Sequence, residues 1–217
     1  FGSRLPGSRH SSAGVGTRTP AVRAMASSIA ASRRDQLLHC LAKGSVVTWR
    51  LGEGEGAVEL SDLNISGICG TKPTVVVPHP NWLLVYVVGE PPGSAAPAQI
   101  HTCSLTSGRT VESWSGHQLG RSISHLVWAD ACGCLVSGST DGTCRLWDMA
   151  GGSRRVYATG RTKKGFLGDP PDPEEISQIA VRGRSLFVAT RGGSIDAVDV
   201  AGGAAPKTLL PLWKQRI

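Results

Sequence analysis

The stretch that opens on Gly116-His117 and closes on Trp147-Asp148 constrains the fold of this chain more than any other. Ile123-Ser-His-Leu-Val-Trp128 alternates apolar and polar residues, as a half-buried strand does. Ala129-Asp-Ala-Cys-Gly133 reads as a turn and Leu135-Val-Ser-Gly-Ser139 as a second strand. Thr140-Asp141-Gly142 is a tight hairpin turn, because Asp-Gly accommodates the positive φ that such turns demand, and Thr143-Cys-Arg-Leu-Trp147 is a third strand. Such a unit is a short antiparallel meander whose apolar face needs neighbours to cover it.

Three further segments repeat the skeleton in degenerate form. Residues 29–51 give a strand, an Arg33-Arg34-Asp35 turn, a strand over 37–41, a Lys43-Gly44 turn and a strand over 45–49. Residues 65–105 give strands over 65–69, 82–88 and 99–103. Residues 176–200 give strands over 176–181 and 186–190, a Gly192-Gly193 turn and a strand over 194–198. The third strands thus end at Trp49, Cys103, Trp147 and Val198, which are 54, 44 and 51 residues apart. Two Pro-rich polar insertions, over 90–97 and 162–175, account for the longer intervals and read as surface loops. No stretch sustains a helical period, so the expected class is all-β.

Gly116-His117, Leu135-Val-Ser-Gly-Ser139, Asp141-Gly142 and Trp147-Asp148 resemble the hallmark positions of WD repeats, which recur about every 40–45 residues as blades of a β-propeller. The resemblance implies an all-β propeller with four recognisable blades, over about 26–55, 60–115, 116–160 and 174–213. Four blades leave sheet edges open, so the expectation is a piece of a larger ring of about seven. The chain's start at Phe1 reads the same way. The resemblance also implies that His117, Ser137, Asp141 and Trp147 form a structural hydrogen-bond tetrad. In it Asp141 accepts from His117, the other ring nitrogen meets Ser137, and Ser137 meets the indole N–H of Trp147, a donor that wants a partner when buried. A Ser, a His and an Asp also suggest a hydrolase triad. Ser137, however, stands mid-strand and not on the Gly-x-Ser-x-Gly elbow that exposes a nucleophile, so a brace is expected and no catalytic residue. The other units carry Lys43, Cys103 and Val198 at matching positions and are expected to rely on apolar packing.

The net charge of +7 raises a nucleic-acid reading, and its location decides how much that weighs. Residues 1–34 hold Arg4, Arg9, Arg18, Arg23, Arg33 and Arg34 and no Asp, Glu or Lys. Setting these six aside from the 23 basic residues leaves 17 against 16 acidic ones, so the remainder is nearly neutral. Residues 1–25 form a basic Ser/Gly/Arg-rich arm, read as disordered or non-native because the first Met is Met25. A phosphate-touching tail and an organelle transit peptide are the other two readings. Residues 214–217 are a tail. A second basic cluster, Arg154, Arg155, Arg161, Lys163 and Lys164, stands at the end of one unit and on the next insertion. It is a solvated loop or a contact patch for an acidic partner or RNA backbone.

The six cysteines contain no CxxC, and Cys132-Gly-Cys134 places one residue between thiols where paired zinc ligands want two to four. They read as small buried hydrophobes in a reducing compartment. No metal and no cofactor are expected, since Gly52-Glu-Gly-Glu-Gly56 and Gly151-Gly152 lack the Gly-Lys-Ser/Thr of a phosphate loop. No run approaches the roughly 18 apolar residues of a membrane span.

Within the WD-repeat proteins, Gln99-Ile-His-Thr-Cys-Ser-Leu-Thr-Ser-Gly108, Trp114-Ser-Gly-His117, Ser137-Gly-Ser-Thr-Asp-Gly142 and Arg145-Leu-Trp-Asp148 are similar in order to the family of THO complex subunit 6. A long insertion and a weak unit closing near Val200 follow, as in that family. This implies a non-catalytic nuclear scaffold for mRNA processing and export, bound to other subunits of a multi-protein complex. RNA contact would be indirect or through the arm, and no membrane is involved. The alternative is a WD-repeat adaptor of a ubiquitin ligase, a ciliary complex or an organelle ribosome, placed in the cytoplasm, or in an organelle if residues 1–34 are a transit peptide.

Overall fold

A computed structural model describes residues 28–32, 36–42, 44–52, 57–65, 72–81, 83–90, 96–149, 152–163, 172–200 and 207–209. The arm over 1–25 and the tail over 214–217 lie outside the described residues. Every regular element among those described is a strand, in four antiparallel four-stranded sheets. No helix among them is long and apolar enough to cross a membrane.

The first sheet comprises β1 (Ser28–Ser32), β2 (Leu37–Ala42), β3 (Ser45–Leu51) and β4 (Ala57–Asn64). The second comprises β5 (Lys72–Pro78), β6 (Leu84–Glu90), β7 (Gln99–Ser104) and β8 (Thr110–Ser115). The third holds β9 (Ile123–Ala129), β10 (Cys134–Ser139), β11 (Thr143–Trp147) and β12 (Ser153–Ala158), and the fourth β13 (Ile176–Arg182), β14 (Ser185–Thr190), β15 (Ile195–Asp199) and β16 (Lys207–Leu209). Strand order within each sheet is the chain order, so each strand pairs with its neighbours in sequence. The first strands follow one another in space, β1 beside β5, β5 beside β9 and β9 beside β13.

An apolar layer fills each space between successive sheets. Leu41, Val46, Val76, Val85 and Val87 close the first against the second. Tyr86, Ile100, Trp114, Ile123, Leu135 and Trp147 close the second against the third. Val136, Cys144, Leu146, Ile176, Ile179 and Val188 close the third against the fourth. β10 is buried at all six positions because its two faces meet different sheets. Leu135 joins the layer toward the second sheet and Val136 the layer toward the fourth, as alternation along a strand requires. At about 25 cal/mol per Å² of apolar surface, these layers supply the main favourable term.

Three features differ from the expected units or extend them. The strand expected over residues 65–69 lies, apart from Ile65, outside the described residues, and the second sheet has a first strand that was not expected. That strand is β5, a Thr74-Val-Val-Val77 run between Pro73 and Pro78 whose prolines read as turn residues. Each unit also has a fourth strand beyond the three read from sequence, and β4 carries the first sheet past residue 55. Finally, residues 116–148 do not coincide with one sheet. Gly116 and His117 follow β8 of the second sheet, yet His117 bonds into the third.

Candidate functional site

The third sheet brings His117, Ser137, Asp141 and Trp147 together. Ser137 lies at the centre of β10, Asp141 in the turn to β11, Trp147 at the end of β11, and His117 in the segment that enters β9. Trp147 Nε1–H donates to Ser137 Oγ at 2.8 Å. The Ser137 hydroxyl, accepting there with one of its two lone pairs, donates to His117 Nε2 at 2.7 Å. His117 Nδ1–H donates in turn to Asp141 Oδ2 at 2.9 Å. All donors thus point one way along the chain of bonds, which sets the imidazole tautomer with its proton on Nδ1.

Asp141 gathers more than the histidine. Its Oδ2 also accepts the Gln118 N–H at 3.0 Å, and its Oδ1 accepts the Thr143 N–H at 2.8 Å and the Thr143 hydroxyl at 2.6 Å. Burial alone would raise its carboxyl, but the bonds from His117, Thr143 and Gln118 outweigh it and hold Asp141 well below the usual carboxylate range. Thr143 and the Gln118 amide escape sequence reading, because a threonine beside an Asp-Gly turn looks like any strand residue.

Two glycines make the arrangement possible. Gly142 sits at φ 77°, so the hairpin turn that presents Asp141 suits no residue with a Cβ. At Gly116 an added Cβ would lie 2.9 Å from the Trp147 indole, so the segment can approach the ring only as glycine. The indole stacks near Trp114, ring centroids 6.3 Å apart, and Trp114 in turn packs beside Tyr86 at 5.6 Å, tying the tetrad to the second sheet.

This Ser–His–Asp geometry has the bond lengths of a hydrolase triad without its access. Ser137 is fully buried, His117 and Asp141 nearly so, and the Ser137 oxygen is held by the Trp147 indole inside the sheet. No substrate carbonyl reaches such a hydroxyl. What the arrangement does is satisfy four buried polar side chains and lock β10, β11 and the entering segment together.

The basic cluster divides. Arg155 lies on β12 and reaches across to the Asp199 carbonyl at 3.1 Å, and Lys163 pairs with Glu175. The side chain of Arg154, and Lys164 altogether, lie outside the described residues. Arg161 points inward. Its guanidinium grips Asp196 with both ends, Nη1 to Oδ2 at 2.6 Å and Nη2 to Oδ1 at 2.8 Å, and the Tyr157 hydroxyl donates to the same Oδ2 at 2.8 Å. Asp196 is 2 % exposed. Burial, and then the Asp196 carboxylate, push the Tyr157 phenol above its usual range. Arg161 therefore does not belong to an outward patch. It enters the fourth sheet from the segment between β12 and β13, just as His117 enters the third from the segment between β8 and β9. The available signal was Asp196 itself, a carboxylate between the apolar Ile195 and Ala197, which requires a cation once folding encloses it.

A separate open groove of about 540 Å³ runs along the first strands, lined by Ser28 to Ala30, Thr74 to Val77 and Ser122 to Leu126. Among the described residues no three His, Cys, Asp or Glu side chains converge as a metal site would need. No family model matches the chain, and no curated protein matches it.

Proposed function

We propose that this protein is a non-catalytic WD-repeat propeller scaffold that holds other proteins on its rim and between its blades. The observation that carries the reading is the sealed tetrad. The residues best arranged for acid–base chemistry are committed to bracing a sheet, at positions no substrate reaches. Four like sheets, succeeding one another by their first strands, supply the repeated blades of the proposal. The groove along β1, β5 and β9 offers a mixed apolar and hydroxyl-lined surface of the kind partner segments use.

On the motif order of residues 99–148, the assembly is a nuclear one for mRNA processing and export, resembling that of THO complex subunit 6. Affinity purification of the tagged full-length protein tests this. Stoichiometric recovery of partner subunits that survives nuclease treatment, with nuclear localisation, is the expected result. Tight binding of naked RNA by the purified protein, with a steep loss of affinity as salt rises, would make the arginine-rich arm the primary element instead.

A further inference from the structure

We propose that Cys132 and Cys134, in the turn between β9 and β10, form a reversible intrachain disulfide under mild thiol oxidants. Neither thiol is used by the tetrad or by the scaffold reading. Their sulfurs lie 2.6 Å apart, against about 2.0 Å for a disulfide bond. The backbone produces this approach. Cys132 N–H bonds to the Ala129 carbonyl at 3.2 Å and Gly133 N–H to the Asp130 carbonyl at 3.4 Å, which curls the chain back on itself. Gly133, at φ 58°, then directs the chain into β10, where Cys134 pairs with Ala129 as the first rung. The two thiols come to the same side of a hairpin tip.

Access separates this pair from the other described cysteines. Cys132 is part-exposed, whereas Cys40, Cys103, Cys134 and Cys144 are buried. An oxidant therefore meets Cys132 first, and Cys134 waits behind it as the resolving thiol. With a small-molecule disulfide as oxidant, the Cys132 thiolate attacks one sulfur, forms a mixed disulfide and releases one small thiol. The Cys134 thiolate then attacks the Cys132 sulfur, closes the intrachain bond and releases the second small thiol. Two protein thiols lose two electrons and two protons, and the oxidant is reduced to two thiols. Cys144 is an internal control, because burial and then the Asp141 charge push its thiol up to about 12 and deprive it of thiolate.

The experiment uses the native full chain, equilibrated with mixtures of oxidised and reduced glutathione, quenched in acid, alkylated and digested with trypsin without reduction. Cleavage after Arg121 and Arg145 leaves Cys132, Cys134 and Cys144 on one peptide. The expected product has lost two hydrogens and carries a single alkyl group, on Cys144, while Cys40 and Cys103 remain fully alkylated. Alkylation of all three thiols at every oxidant ratio overturns the proposal, as does a stable glutathione adduct on Cys132 beside an alkylated Cys134. In C134A the adduct on Cys132 should persist, and in C132A Cys134 should take up no glutathione. Ready modification of Cys134 in C132A contradicts the assigned order of attack, and the wild-type measurement stands whether or not either variant folds.

Discussion

The first and third sheets place a tryptophan at the same register and treat its indole differently. Trp49 stands opposite Leu38 across β2 and β3, and Trp147 stands opposite Leu135 across β10 and β11. Two residues along, the third sheet has Ser137 and the first has Cys40. The consequence is specific: Trp147 Nε1–H donates to an oxygen, whereas Trp49 Nε1–H is buried and finds no partner among the described residues. A sulfur accepts weakly where an oxygen accepts well. The fourth sheet has Val198 and no indole at this register, and its polar brace is a different one, of Arg161, Asp196 and Tyr157. A sheet of this kind can thus stand without the tetrad when it has enough apolar burial or a different polar brace.

The largest effect is expected from Asp141→Ala. It strips the acceptor from His117, Gln118 and Thr143 at once, inside a site that water cannot reach, and should cost about 3–5 kcal/mol in chemical denaturation. Asp141→Asn adds a pH readout. A carboxyl held below its unfolded value stabilises the fold above about pH 4 and loses that contribution as pH falls through its folded value. The wild type should therefore lose stability in acid more steeply than the Asn variant.

Asp196→Asn in the fourth sheet should cost about 2 kcal/mol, less than Asp141 because Arg161 is 29 % exposed and water screens it in part. Its loss should shrink as salt rises, whereas that of Asp141→Ala should not, and unfolding curves at two salt concentrations separate the two braces. Ser137→Ala recreates the orphaned indole of the first sheet within the third. A cost of about 1–3 kcal/mol is expected, with little change in the denaturant slope. Smallest, and opposite in sign, is Cys40→Ser. An oxygen supplied to Trp49 should raise the midpoint by the equivalent of about 1 kcal/mol. An unchanged or lower midpoint would mean that the register match does not extend to the side chains.

The parts of the molecule that could be read from sequence are those where local chemistry and burial agree. Asp141-Gly142 marks a hairpin by backbone preference alone, and strands buried on a regular face, such as β14 and β15, show their period. Fourth strands are harder to read, because an outer strand has little to bury. On β8 only Trp114 is buried, and Val58 and Leu60 of β4 are largely exposed, so neither strand alternates. β5 was hidden by the prolines at its ends, which a first strand tolerates at its margins. The Arg161–Asp196 pair spans 35 residues, and each residue alone looks like a surface charge. Only folding places one against the other and takes the Asp196 carboxylate out of water.

The central claim is that Ser137, His117, Asp141 and Trp147 act as one internal brace. A double-mutant cycle on Ser137→Ala and Asp141→Ala, read by equilibrium unfolding, tests it most directly. A shared network predicts that the double variant loses less stability than the two single losses combined, by about 1–3 kcal/mol. Strict additivity of the two losses would contradict it, since residues that do not share a network do not couple.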